Sequence, residues 1–221
     1  MGNNQHKSVR TVEFDGAVML IGGGFWDSEA AQFIVDSVSA VICADSGGSA
    51  AIDAGITPDM IIGDMDSFTG QFDGTVIHLS EQDSTDFEKC LYSVKAPFYI
   101  GYGFLGGRLD HELAALSILT RYPEKTVVLI GEKDICFRCP DEITMNIEKG
   151  ARFSVFPMGD VEMKSTGLEW PLDGLKMSPK TQIATSNRVS DDQVTLSVDK
   201  GDSIVMVPLA YMDAVIAALT S

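Results

Sequence analysis

The sequence predicts an α/β protein, with a mostly parallel α/β unit over residues 12–135 followed by an all-β, sandwich-like unit over 140–221. Three observations predict it. From residue 12 to about 133, short apolar runs alternate with longer segments of helical period, the pattern of strands joined by crossover helices. Beyond about residue 139 the apolar runs crowd together, and several alternate with period two, as in Val194-Thr195-Leu196-Ser197-Val198. A length of 221 residues accommodates one large domain or two modest ones, and 45% hydrophobic residues leave little room for long disorder.

Taken in order, Val18-Met19-Leu20-Ile21 reads as a buried strand ending at Gly22-Gly23-Gly24, after which Asp27 or Ser28 caps a helix expected to run to residue 38. Further strands are expected over 41–44, 60–62, 76–79, 98–100 and 126–130, separated by helices over 49–54, 86–94 and 110–121. The second half predicts strands over 143–147, 152–156, 161–164, 182–185, 194–198 and 204–207, closed by a short helix over 212–219. The junction falls between residues 131 and 141.

Composition narrows the chemistry. A formal net charge of -16 repels a polyanion, which argues against a nucleic-acid partner. An acidic chain still holds an anionic nucleotide if its carboxylates first gather a divalent cation, and it favours a cationic co-substrate. No apolar run approaches the roughly 20 residues of a membrane span, and the opening residues 1–16 are polar where a signal peptide is apolar, so a cytoplasmic protein without a membrane partner is expected. Cys43, Cys90, Cys136 and Cys139 include one Cys-x-x-Cys, with no second pair or nearby histidine to complete a zinc site. They read as reduced structural thiols.

Acidic residues fall where parallel strands should end, the edge at which such sheets bind ligands. Asp45 follows one expected strand, and Gly63-Asp64-Met65-Asp66-Ser67 follows another. Carboxylates two apart in an extended segment project the same way and suit magnesium, although an isolated Asp-x-Asp is more often a solvated turn. In Gln82-Asp83-Ser84-Thr85-Asp86-Phe87-Glu88-Lys89, Thr85 and Glu88 have capping-box spacing. Asp86 either meets the helix dipole or shares the metal of Asp64 and Asp66, and Lys89 either reaches a phosphate or pairs with a neighbouring acid. The stretch from Gly101 to His111 is a glycine-rich loop between strand and helix, without the Gly-Lys-Ser/Thr ending of a P-loop. Its amides and the Arg108 fork suit phosphate, while a turn needed for packing alone is the plainer alternative.

Together these segments resemble the thiamine pyrophosphokinase family. The matching pieces are Ala44-Asp45-Ser46-Gly47-Gly48, the run from Pro58 through Ser67, Gln82-Asp83 with Thr85-Asp86-Phe87-Glu88-Lys89, and Leu105-Gly106-Gly107-Arg108-Leu109-Asp110-His111. The run from Thr166 to Leu172 and Thr185-Ser186-Asn187 extend the likeness into the second half. The resemblance implies transfer of the pyrophosphoryl group of ATP to the hydroxyl of thiamine, giving thiamine diphosphate and AMP, by a homodimer whose thiamine sites lie between chains. It implies magnesium on Asp64, Asp66 and Asp86, which with Arg108 form the catalytic set. The ATP side would comprise Asp45, Gly47, Lys89, Gly106, Gly107, Arg108 and Asp110; the thiamine side would comprise Gln82, Trp170, Ser186 and Asn187, with Trp170, Ser186 and Asn187 supplied by the partner chain. Ser46, Ser49 and Ala115 depart from the family pattern. They leave open a different small alcohol, such as a pterin, and a binding module without turnover is the rival from another class.

Overall fold

The computed structural model of the chain describes residues 11–221, so most of the polar opening stretch lies outside the described residues. In chain order the first half comprises β1 (Val12–Glu13), β2 (Val18–Ile21), α1 (Ser28–Val35), β3 (Ala40–Ala44), α2 (Ser46–Asp53), β4 (Met60–Gly63), β5 (Thr75–His78), α3 (Asp86–Ser93), β6 (Val94–Lys95), β7 (Tyr99–Tyr102), α4 (Leu109–Arg121) and β8 (Val127–Ile130). The second half comprises β9 (Asp134–Arg138), β10 (Glu142–Asn146), β11 (Arg152–Pro157), β12 (Glu162–Thr166), β13 (Ala184–Arg188), β14 (Gln193–Lys200), β15 (Ser203–Pro208) and α5 (Met212–Leu219).

Continuous apolar runs become central parallel strands because both of their faces are covered. Met19 and Ile21 of β2 share a core cluster with Ala31 and Ile34 of α1 and Ala51 of α2. The alternate residues Val18 and Leu20 share another with Phe87 and Leu91 of α3 and Ile118 of α4. The parallel strands lie in the order β8-β7-β2-β3-β4-β5, so the chain leaves β2 toward β3 and later returns to its other side as β7. That reversal opens a crevice at the carboxyl ends of the strands.

In the second half, β10, β14 and β12 form a three-stranded antiparallel sheet. Its buried residues Ile143, Met145, Val194 and Leu196 pack in one cluster with Phe153, Val155, Val205 and Val207, which makes the sandwich. Alternation of buried and exposed residues in β10 and β12 follows from one covered face and one open face.

The facing sheet is not separate from the first half. β9 pairs antiparallel with β8 on one side and with β15 on the other, which joins β11, β13 and β15 to the parallel strands in a single ten-stranded sheet. A boundary at 135–140 therefore cuts a buried bridging strand. Sequence reading passed over β9 because its Ile135-Cys136-Phe137 core is only three residues between charged ends, and its strand character comes from pairing on both edges. The two-residue pair β1 and β6 also went unseen.

Other boundaries shift for local reasons. α2 begins at Ser46, three residues earlier than expected, because the chain turns sharply at Asp45, which has a φ of 40°. α1 ends at Val35, with the Asp36 amide closing its last turn. The strand expected over 182–185 lies at Ala184–Arg188. Val161, expected inside a strand, instead makes an isolated bridge to Met177.

Gly47 sets how closely α2 approaches β2, since a Cβ there would lie 2.1 Å from the carbonyl oxygen of Ile21. Gly47→Ala is expected to destabilise the protein by about 1–3 kcal/mol, the usual size of overpacking. Gly159→Ala, where a Cβ meets nothing within 4 Å, should stay within about 0.5 kcal/mol of the parent. Urea unfolding followed by circular dichroism checks the pair, and equal midpoints would contradict the tight approach.

Candidate active site

The crevice holds a cavity of about 480 Å³. Its walls come from the loops after β2, β3, β4, β5 and β7 and from the N-terminal turns of α3 and α4. The loops after β2 and β7 touch backbone to backbone: a Cβ on Gly22 would lie 2.6 Å from the Gly103 oxygen, and one on Gly103 would lie 2.4 Å from the Gly22 oxygen. Gly103 also has a φ of +76°, so glycine is required there by conformation as well as by space.

Carboxylates converge in this cavity. Oxygens of Asp45, Asp64 and Asp86 all lie within 4.8 Å of one another. Asp45 is 2% exposed and stands in a left-handed backbone conformation rare for a non-glycine residue. Its Oδ2 accepts from the Ser67 amide at 3.3 Å, whereas its buried Oδ1 has no hydrogen-bond partner. Asp64 accepts from Gln82 Nε2 at 2.8 Å. Lys89, 2% exposed, places its Nζ 3.0 Å from Asp86 Oδ1 and 3.6 Å from Asp64 Oδ2.

The electrostatics divide the three acids. Burial, reinforced by the charges of Asp86, Asp64 and Asp66, pushes the Asp45 carboxyl up to about 6 despite the Ser67 amide. The Gln82 hydrogen bond, with help from Lys89, holds Asp64 below the usual carboxylate range. Burial pulls the Lys89 ammonium down, but Asp86, Asp64 and Glu81 outweigh it and leave its pKa raised. An orphaned buried oxygen beside two further carboxylates is a donor set that fits a hard divalent cation such as magnesium.

Each sequence-predicted residue can be placed. Asp66 lies outside the tight trio, its Oδ1 accepting from the Ser67 hydroxyl at 2.8 Å, while Asp45 lies within it. Gln82, Lys89, Gly107 and Arg108 line the cavity. Arg108 is exposed and forms a 2.6 Å ion pair with Asp110, which orients its guanidinium. Gly47 packs against β2, and Gly106, at a φ of +77°, packs against Phe25; neither lines the cavity. Ser46 and Ala115 line it, but Ser49 instead ties α2 to the loop at Thr69, donating to the Thr69 carbonyl at 2.8 Å.

Trp170, Ser186 and Asn187 lie elsewhere. Among the described residues, the cavity lining runs only from Gly22 to Ala115, so a single chain does not bring these three to it. Sequence reading also missed Gly22-Gly23-Gly24 as part of the site, although three glycines after a buried strand were the available signal. The four cysteines are buried, and burial raises all four thiols, with Cys136 and Cys139 pushed up to about 12. None of the helices among the described residues is long and apolar enough to cross a membrane.

Comparison with known proteins adds independent observations. A family model described as "Thiamin pyrophosphokinase, catalytic domain" matches residues 31–130, and one described as "Thiamin pyrophosphokinase, vitamin B1 binding domain" matches residues 142–201. The chain is 30% identical over 166 residues to thiamine pyrophosphokinase 1 of Arabidopsis thaliana, covering 64% of this chain and 62% of that relative. It is 26% identical over 209 residues to thiamine pyrophosphokinase 3 of Oryza sativa subsp. japonica, covering 77% and 78%. In fold it is similar to thiamin pyrophosphokinase from Candida albicans, with a TM-score of 0.76, 16% identity, and coverage of 90% of this chain and 93% of that one.

Asp45 sets a buried carboxylate oxygen without a hydrogen-bond partner among like charges. Asp45→Asn removes a charge pressed against three others, its new amide can donate to the facing carboxylates, and asparagine tolerates positive φ. The variant is expected to raise the stability of the metal-free protein by about 1–2 kcal/mol, or roughly 2–4 °C in Tm per kcal/mol at this size, while magnesium binding weakens. Differential scanning calorimetry with chelator, paired with magnesium titration, checks this. A lower Tm for the variant would refute it.

Proposed function

Because the chain belongs to the thiamine pyrophosphokinase family, we propose that it transfers the β,γ-pyrophosphoryl group of ATP to the hydroxyl of thiamine, releasing AMP and thiamine diphosphate. The observation that carries this reading is the convergence of Asp45, Asp64 and Asp86, one with an unpartnered buried oxygen, in the crevice at the sheet's reversal point. In the reaction the thiamine oxygen forms a bond to the β-phosphorus as the bond from that phosphorus to the α-phosphate oxygen breaks.

Asp45, Asp64 and Asp86 would hold magnesium, with Asp66 close behind them. When bound, magnesium neutralises phosphate charge and lowers the cost of building charge in the transition state. The chain's own residues do the rest. Exposed Arg108, steered by Asp110, offers a charged fork to the phosphates; Lys89 keeps a second positive charge inside the acidic cluster. The glycine loops on either side of the crevice let backbone come close to the nucleotide. Gln82, which lines the cavity and is bonded to Asp64, would meet the acceptor from the same chain.

Trp170 and Ser186 would meet thiamine from a second chain, with Asn187 beside them, which makes the working unit a homodimer. This accounts for a cavity lined from one half of the chain in a protein whose other half matches a vitamin B1 binding domain. Buried free thiols suit the reducing cytoplasm, where we place the enzyme. The relatives are named for thiamine, which disfavours a pterin acceptor, and the acidic and basic set around the cavity exceeds what a passive binding module needs.

Incubation with thiamine, ATP and magnesium should yield AMP and thiamine diphosphate in equal amounts, resolved by liquid chromatography. Asp64→Asn and Asp86→Asn are each expected to lower turnover by about 10²–10³-fold with the fold retained, on the scale of losing one preorganised electrostatic contact. ADP as the product, or near-parent rates in both variants, would overturn the assignment. Mixing Trp170→Ala and Asp64→Asn chains by refolding should restore about a quarter of parent activity, since half of randomly paired dimers are mixed and each carries one intact site. Confirmed heterodimers without recovery would place the whole site within one chain.

A further inference from the structure

We infer that Asn187 is a positioning residue that acts on thiamine only through Trp170, rather than a direct thiamine contact; this rests on the reading that Trp170 faces thiamine. The geometry leaves Asn187 little else to do. Its Nδ2 donates to the Trp170 carbonyl at 2.7 Å, and its Oδ1 accepts from the Trp170 amide at 3.2 Å and from the Arg188 amide at 2.8 Å. Two backbone donors on one end and a backbone acceptor on the other fix the orientation of the side-chain amide. Asn187 is 6% exposed, whereas Trp170 is 53% exposed.

The strand is shaped to deliver this clamp. Pairing between β11 and β13 shifts register between Phe153 and Val155, which leaves an extra residue on β13 beside Ser154. Ser186, at a φ of 59°, sits in that bulge and donates its amide to Ser154 Oγ at 3.0 Å. A bulge re-aims the side chain beside it. Here Asn187 is the one buried residue of β13, turned in toward the segment carrying Trp170. The Glu169 amide donates to the Arg188 carbonyl at 2.8 Å, Glu169 pairs with the Arg188 guanidinium, and that guanidinium lies 6.0 Å from the centre of the indole ring. The backbone of an exposed indole is thus gripped from both sides by one buried amide, the arrangement expected of a preorganised stacking platform.

A double-mutant cycle tests it in a Trp26→Phe background, so that Trp170 is the sole tryptophan. Asn187→Ala is expected to raise the KM for thiamine roughly tenfold, the effect of about one lost buried hydrogen bond, with kcat nearly unchanged. In a Trp170→Ala chain the same substitution should add nothing. Acrylamide quenching of Trp170 should rise in Asn187→Ala and sit between the two in Asn187→Asp, which keeps both acceptor contacts and loses the donor. Additive KM losses in the Trp170→Ala background would show a direct thiamine contact and overturn the proposal, as would unchanged quenching in Asn187→Ala. A parent enzyme that turns over no thiamine would refute the proposed function instead, and the quenching comparison alone would then decide the clamp.

Discussion

Three carboxylates held within 4.8 Å of one another at the ends of parallel strands dominate the physics of this molecule. At that spacing each like-charged pair repels by about 3–4 kcal/mol at an effective dielectric near 20. Asp45 adds the desolvation of a nearly buried side chain and a strained backbone. A marginally stable chain tolerates such a site only if the surrounding structure determines it strongly. The sheet does so: β3, β4 and the helix after β5 are locked by parallel pairing and by cores on both faces, which leaves the acids no route apart.

Lys89 is the second half of that balance. Its ammonium is drawn out of water into contact with Asp86 and Asp64, an arrangement that costs desolvation but removes an uncompensated negative charge from the interior. The helix carrying Asp86 and Lys89 is fixed in turn. The Thr85 hydroxyl caps it by accepting from the Glu88 amide, and buried Glu88 accepts from Arg121 and from the Tyr122 hydroxyl on and just beyond α4. Asp86 and Lys89 thus belong to one connected body, α3 bound to α4, while Asp45 and Asp64 reach them from the ends of β3 and β4.

The continuous ten-stranded sheet gives the second half a mechanical role. Through β9 the β-sandwich continues the sheet whose strands β3 and β4 end at the acids, so β13, which is tied to the segment carrying Trp170, and the crevice belong to one hydrogen-bonded framework. Fixed spacing between a site on one half and a platform on the other is what a two-fold assembly needs if each chain is to complete its partner's site.

Much of this was legible in the sequence. Apolar runs such as Val18-Met19-Leu20-Ile21, the period-two alternation around Val194 and the Thr85/Glu88 cap are local patterns, and they fixed the elements and the half of the chain each belongs to. Asp64, Asp86 and Arg108 were visible because their residue types sit at strand ends or helix starts. What only the tertiary structure decided depends on distance through space. β9 has no strand signal apart from its two neighbours, and Asp45 joins Asp64 and Asp86 in the carboxylate trio after a backbone turn at positive φ. Asn187 faces the Trp170 backbone because a bulge rotates the strand, and no spacing along the chain records that rotation.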